Sequence, residues 1–362
     1  MRHIHYKLLV FTITALFSSI VFAQDKLSKD IKKTFPLKSE GALYLENKYG
    51  NVFINGWDKA SIQLEVSVEV KGKNLDKAKD LLKRINPTFI NTNSQLIVKT
   101  EIEEKNASVF NKYFKKIGPL NSEKTNSDIN YIIYLPKNAA VEITNKYGDV
   151  IISDWYGKLN ANLEHGDLRI TNDLDDSKIA IKYGNLRANV LKNSRIESKN
   201  ATVSFDESEV LKLESDGSIM TIETVGNLDI NSNKDDIEIN TVDHIHGTLK
   251  YSQMTLNHVG SKVNLNLNLA ELRLKKLDAK APVINLNQKS SEVYVNISET
   301  SFNFSAELEQ GLLRLPKSMH SINSKVIDEK NKIRQIRAAY GNKNQGIIDI
   351  TGYKGIIIFK EL

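Results

Sequence analysis

Tyr147, His165 and Tyr183 stand eighteen residues apart, each directly before a glycine. Arg169 and Arg187 keep the same interval, four residues further along the chain. Aromatic rings laid one above another beside guanidinium groups can hold sugar rings by stacking and acidic groups by paired hydrogen bonds. Stacked aromatics also do a plainer job, which is to tie neighbouring repeats together. These five residues are the ligand-contact candidates of the chain.

Other residues with chemical potential lead less far. His244 and His246, two apart on one strand face, would begin a metal site. A third ligand would have to come from about one repeat away, where the chain offers Asp229 and Ser261 but no histidine. No metal is therefore expected. Asp149 and Asp167 are also one period apart, with Asn185 continuing the column. Stacked carboxylates can bind calcium, and they can equally cap backbone amides at turns. The column runs on through Thr202, Ser218, Asp236, Gln253, Glu271 and Glu292, which favours turn chemistry. The Asp173, Asp175 and Asp176 cluster reads the same way. No G-x-S-x-G, H-E-x-x-H or phosphate-loop stretch occurs, and no catalytic residue or cofactor is expected. A polysaccharide lyase or hydrolase recruiting Arg169, Arg187 and Asp167 is the enzymatic alternative, but the repeats carry no long loops to wall a cleft.

The elements that would position these residues are repeats. Glu46-Asn47-Lys48-Tyr49-Gly50-Asn51-Val52 returns as Thr144-Asn145-Lys146-Tyr147-Gly148-Asp149-Val150. The second copy opens a degenerate series aligned on Val150, Leu168, Leu186, Val203, Ile219, Ile237, Met254, Leu272, Val293 and Leu312, all apolar. Two residues earlier stand Gly148, Gly166, Gly184, Ala201, Gly217, Asp235, Ser252, Ala270, Ser291 and Gln310, mostly small or turn-forming, as a tight bend with positive φ would require. Two residues later the chain is again mostly apolar, with a mixed column between. That is the period of two of a strand with one buried face. A short strand after a small-residue turn, repeated about every eighteen residues, is the pattern of a β-solenoid whose coils bury their inner faces on one another. A β-sandwich of hairpins is the competing fold.

The expected domains are a secretory signal over 1–23, a first coil with an α/β capping insertion over 24–137, and repeats with C-terminal strands over 138–362. Arg2 and Lys7 form the charged start of the signal, and Val21-Phe22-Ala23 offers a cleavage site before Gln24. Within the insertion, Asn74 is placed to cap a helix bearing Leu75, Ala78, Leu82 and Ile85, stopped by Pro87. Residues 102–129 read as a Lys-rich surface insertion with Phe110, Tyr113 and Phe114. Residues 317–337 read as irregular or partly strand-like. Ile356-Ile357-Ile358-Phe359 must be buried in the last coils or paired with a partner.

The 362 residues are 40% hydrophobic and 26% charged, too apolar for a disordered chain. With no cysteine, disulfide frameworks, thiol nucleophiles and thiolate metal sites are excluded. The net charge of +6 suits an acidic polysaccharide or phospholipid surface and falls short of a nucleic-acid binder. No segment after the signal is apolar for long enough to span a membrane.

Tyr49-Gly50-Asn51-Val52 and Tyr147-Gly148-Asp149-Val150 followed by alternating strands, the Tyr134-Leu135-Pro136-Lys137 lead-in, and the helix after the first coil together resemble the adhesin-like β-solenoid family of bacterial envelope proteins of unknown function, the group likened to auto-transporter adhesin heads. The resemblance covers roughly residues 40–360. It implies export, a right-handed solenoid of single-stranded type, and an adhesion or envelope role, and it supplies no catalytic residues. The expected function is a non-catalytic exported protein presenting a repetitive surface for adhesion, ligand binding or envelope structure. Its expected partners are an envelope polysaccharide or another envelope protein, and its expected location is the periplasm, the cell surface or the medium. An envelope sensor or partner-binding module is a further alternative.

Overall fold

The computed structural model describes residues 25–72, 74–92, 94–102, 127–342 and 346–361. The signal segment and the Phe110, Tyr113 and Phe114 cluster lie outside the described residues. The structure is all-β, a single many-stranded sheet that does not close, with one helix among the described residues. No described helix is long and apolar enough to cross a membrane.

The chain divides into two compact units. The described residues of the smaller are 25–30, 67–72, 74–86, 101–102 and 127–128. Its helix, Leu75–Arg84, starts where Asn74 accepts a hydrogen bond from the Lys77 amide at 3.1 Å. Ala78 and Ile85 are buried while Leu75 is 38% exposed, so the apolar face is narrower than its sequence spacing implies. The helix ends when Ile85 turns extended, two residues before Pro87. Lys26 pairs with Glu69 at 2.7 Å and Lys71 with Asp128 at 3.2 Å.

The larger unit comprises residues 31–66, 87–100 and 129–362. Its repeats pair side by side in parallel. Val150, Leu168, Leu186, Val203, Met220, Ile237, Met254, Leu272 and Val293 form one unbroken register. All nine are fully buried. A second buried column runs two residues later through Ile152, Ile170, Ala188, Phe205, Ile222, Ile239, Leu256, Leu274 and Val295. Strands stacked in register pair their backbone groups across repeats and press aliphatic on aliphatic.

Two sequence expectations are corrected here. Met220 occupies the core column, and Ile219 is 57% exposed. The slip arises at Gly217, which has φ +68° and takes the left-handed corner, leaving the small-residue position to the buried Ser218. Leu312 is likewise 46% exposed, and the repeat holding it does not follow Val293 directly. The C-terminal strands Gly346–Tyr353 and Ile356–Lys360 are inserted between them, so that Val293 pairs with Ile357 and Ile357 with Leu313. Phe359 and Ile357 are thereby buried within the chain's own sheet. Residues 317–337 are partly strand: His320–Asp328 and Ile333–Tyr340, joined by a turn at 329–332, pair antiparallel with register shifts near both ends, and the latter lies antiparallel on Phe302–Glu309.

The corner residues also differ from expectation. Positive φ falls on Tyr147 (58°), His165 (58°) and Tyr183 (56°), one position before the glycines. The glycines are needed for closeness. A Cβ on Gly166 would sit 2.0 Å from the carbonyl oxygen of Gly148, and one on Gly184 would sit 2.0 Å from that of Gly166. Order at the start of the unit is permuted as well. Ala42–Lys48 lies between Gln95–Ile102 and Ala140–Lys146, parallel to both.

The corrected register has a direct consequence. Met220→Ala should cost about 2–5 kcal/mol in urea unfolding. Ile219→Ala should stay within about 0.5 kcal/mol. Equal costs, or the reverse order, would show the register to be wrong.

Candidate functional site

The corner column carries a row of four rings. Tyr49 stacks on Tyr147 at 5.3 Å between centroids, Tyr147 on His165 at 4.9 Å, and His165 on Tyr183 at 4.8 Å. The interplanar angles are 13°, 5° and 8°, so the rings lie in nearly parallel planes. Each sits where the backbone is left-handed, which costs about 1–2 kcal/mol for a residue with a Cβ. Ring stacking returns about 0.5–1.5 kcal/mol per pair. Cross-repeat hydrogen bonds supply the remainder: the amides of Tyr147, His165 and Tyr183 donate to the carbonyls of Glu164, Lys182 and Lys199 at 2.9, 2.9 and 3.1 Å.

The structure therefore brings Tyr147, His165 and Tyr183 together, and it adds Tyr49. Sequence reasoning passed over Tyr49, although the duplicated Asn-Lys-Tyr-Gly stretch was the signal for it. Tyr147 and Tyr183 are about half exposed. Within the row the ring faces are spent on each other, and the edges point to solvent. Beyond Tyr183 the corner residue is Asn200, so Tyr183 turns one ring face toward a position without an aromatic neighbour.

Cations flank the row. The Lys48 ammonium lies 4.6 Å from the Tyr49 centroid and 5.9 Å from that of Tyr147. Lys146 pairs with Glu164 at 2.6 Å, and its donated hydrogen bond holds the Glu164 carboxyl below the usual carboxylate range. Lys182 and Lys199 continue toward a shallow groove of about 720 Å³ lined also by Asn162, Ala180, Glu197 and Glu214. Arg169 and Arg187 are register partners on the exposed face of a different column, between Ile151 and Ser204. Neither has an ion-pair partner among the described residues, and no contact there joins them to the rings.

The remaining candidates resolve into structural roles. The Asp149 carboxylate accepts the Asp167 amide at 2.9 Å, and the Asp167 carboxylate accepts the Asn185 amide at 2.8 Å. The column thus hands hydrogen bonds from repeat to repeat. His246 faces Asp229 at 3.4 Å and His244 faces Ser261 at 3.1 Å, the partners the spacing indicates. Among the described residues no three such side chains converge. Among the described residues one acidic side chain lies inside. Asp235, 4% exposed, accepts from the Ser215 and Ser232 hydroxyls at 2.5 and 2.6 Å and from the Ser218 and Asn233 amides at 2.7 and 3.0 Å. Four donors replace water around that carboxylate. Sequence reasoning saw Asp235 only as a turn residue.

No protein-family model matches the chain, and no curated protein matches it. Three solved structures are similar to it. One is a candidate cell adhesion protein from Clostridium sporogenes, 12% identical over 92% of this chain and 100% of that one, with a TM-score of 0.19. Another is a candidate adhesin from Bacteroides fragilis, 12% identical over 91% and 96%, with a TM-score of 0.31. A third is a candidate adhesin from Parabacteroides distasonis, 11% identical over 92% and 97%, with a TM-score of 0.22. All three bear descriptions of the kind the sequence resembles. At such scores the likeness carries no argument about how this chain works.

The ring row can be tested as a structural element. Asparagine tolerates the left-handed corner, so His165→Asn removes two stacking pairs and little else. Unfolding free energy should fall by about 1–3 kcal/mol, and Tyr183→Asn, losing one pair, should cost about half as much. Identical small effects at both positions would mean the rings do not interact.

Proposed function

We propose that the protein is exported after removal of residues 1–23 and is a right-handed β-solenoid of about eighteen residues per coil. The segment 24–137 forms its first coil and cap, and 138–362 its repeats. It acts without catalysis, binding an acidic envelope polysaccharide along Tyr49, Tyr147, His165 and Tyr183, with Arg169 and Arg187 on the neighbouring column. The observation that carries this reading is the row itself: four rings at a near-constant 4.8–5.3 Å, three of them exposed and Tyr49 half-buried beside the Lys48 ammonium. A polymer with a repeating unit meets a repeating surface, so weak contacts add along its length.

Each group has a defined task. Ring edges present the phenol hydroxyls of Tyr49, Tyr147 and Tyr183 to sugar hydroxyls. The free face of Tyr183 takes one sugar ring by stacking. Lys48 and Lys182 meet acidic substituents as point charges, and the unpaired guanidiniums meet them as two-pronged donors. The enzymatic alternative needs two carboxylates aimed at a bound polymer. Asp149 and Asp167 each commit Oδ1 to the backbone amide of the next repeat, a turn-capping role.

Calorimetric titration with a polyuronate and with a neutral glucan of equal length decides the matter. The polyuronate should bind, the glucan should bind at least tenfold more weakly, and Tyr183→Asn with Arg187→Gln should lose most of the affinity. No polyuronate binding, or release of new chain ends from it, would overturn the reading.

A further inference from the structure

The far end of the larger unit is only half covered. Its last repeat has two arms, Phe302–Glu309 and Leu312–Arg314. The antiparallel hairpin of Ile333–Tyr340 and His320–Asp328 covers the first arm. The second arm pairs with Ile356–Lys360 on one side and with nothing on the other among the described residues. Its outer backbone amides and carbonyls are a free strand edge.

Side chains at this edge tell the same story. Leu313 continues the column of Val293 and Ile357, both fully buried, yet is only half-buried itself. Leu315, two residues on, is half-buried too. Both open onto a groove of about 760 Å³ whose other apolar walls are Leu308, Val326 and Ile336. The core columns stop here with a layer's worth of apolar surface still unmatched.

The charge around the groove is one-sided. Arg314, Lys317, Lys325, Lys330, Lys332, Arg334 and Arg337 are all exposed, and none has an ion-pair partner among the described residues. Some cations elsewhere are matched, as in Lys192 with Asp175 at 2.7 Å and Arg195 with Glu214 at 3.0 Å, but no other stretch of the described chain gathers seven unmatched ones so closely in sequence. Of the hairpin's two carboxylates, Asp328 is turned inward onto the amide and side chain of Asn331 at 2.9 and 2.8 Å. Glu329 is the hairpin's remaining carboxylate, Glu307 and Glu309 lie on the adjoining strand, and none of the three is within ion-pair distance of the seven cations among the described residues.

We propose that this edge is a docking site for an extended acidic segment of another protein, which adds as a strand beside Leu312–Arg314. Alternate apolar side chains of the segment cover Leu313 and Leu315, and its outward carboxylates meet the lysines and arginines of the hairpin. The three features select one class of occupant. A free edge calls for a peptide backbone, the groove calls for apolar side chains at every second position, and the cations call for acid. A sugar polymer or lipid headgroup meets the last requirement and fails the first two. A second copy placed edge to edge would set cation against cation.

The test uses the whole exported chain and a capped peptide of about six residues alternating valine and glutamate, an ordinary strand length. Fluorescence anisotropy should show binding that weakens as salt rises. A valine–lysine peptide should not bind. The glutamate peptide with N-methylated amides, unable to pair as a strand, should bind at least tenfold more weakly. Leu313→Asn and the pair Lys332→Glu with Arg334→Glu should each lose at least tenfold, while the polyuronate affinity of the ring row stays unchanged. If polyglutamate binds as tightly as the alternating peptide, or N-methylation has no effect, the edge is a general polyanion patch and the proposal is wrong. Absence of binding by the alternating peptide also overturns it.

Discussion

A β-strand cannot satisfy its own backbone, and a short repeat with one apolar face cannot bury that face alone. In this protein both needs are met by the same arrangement, a parallel neighbour one repeat away in exact-residue register. Val150 over Leu168 over Leu186 is at once a hydrogen-bonded ladder and a packed aliphatic column. Everything else follows from keeping that register. The glycines at 148, 166 and 184 let one carbonyl approach the next repeat's Cα at the corner. The corner residues are forced left-handed, and their side chains are thrown outward in line. A ring row is what such a column becomes when three of its members are tyrosine and one is histidine.

The interior is not uniformly apolar, and several of its exceptions sit at the same corners. Asn47 and Asn145 reach the carbonyls of Gly50 and Gly148 from inside, and Asn47 also donates to Asn145 at 3.0 Å. Further along, the network of Ser215, Ser218, Ser232, Asp235 and Ser252 does that work. Buried polar groups are tolerable when their donors and acceptors find partners; the Asn47 side-chain amide donates to Gly50, Ile129 and Asn145, while its Oδ1 is left without a partner. These clusters bind repeat to repeat through side chains where the turn interrupts the backbone ladder.

Much of this was legible in the residues. Alternation of apolar and polar side chains marked the strands, and the eighteen-residue spacing aligned Leu168 with Leu186 correctly. The ring candidates share one column for the same reason. What failed did so for identifiable physical causes. Gly217 was matched to the small-residue column because glycine fits both that position and the left-handed corner, and only three-dimensional register separates the two roles. Tyr49 was missed because its neighbour in space, Tyr147, is nearly a hundred residues away in sequence, across an insertion. The placement of Ile356–Lys360 between two earlier repeats leaves no local trace at all. Period and polarity tell a strand which face is inside, but not which strand lies next to it.

That permuted end is where the account is most exposed. The chain has no cysteine, so pairs can be introduced on a clean background. Adjacent strands lie about 4.8 Å apart, within reach of a disulfide, and strands two positions apart lie at about twice that, beyond it. Oxidation of Glu292→Cys with Ile356→Cys, both solvent-facing, should give a rapid intramolecular disulfide with thermal stability maintained, whereas Glu292→Cys with Leu312→Cys should give none. Cross-linking of 292 to 312 in preference to 356 would mean that the repeats follow one another in sequence order, and the shared register described here would be contradicted.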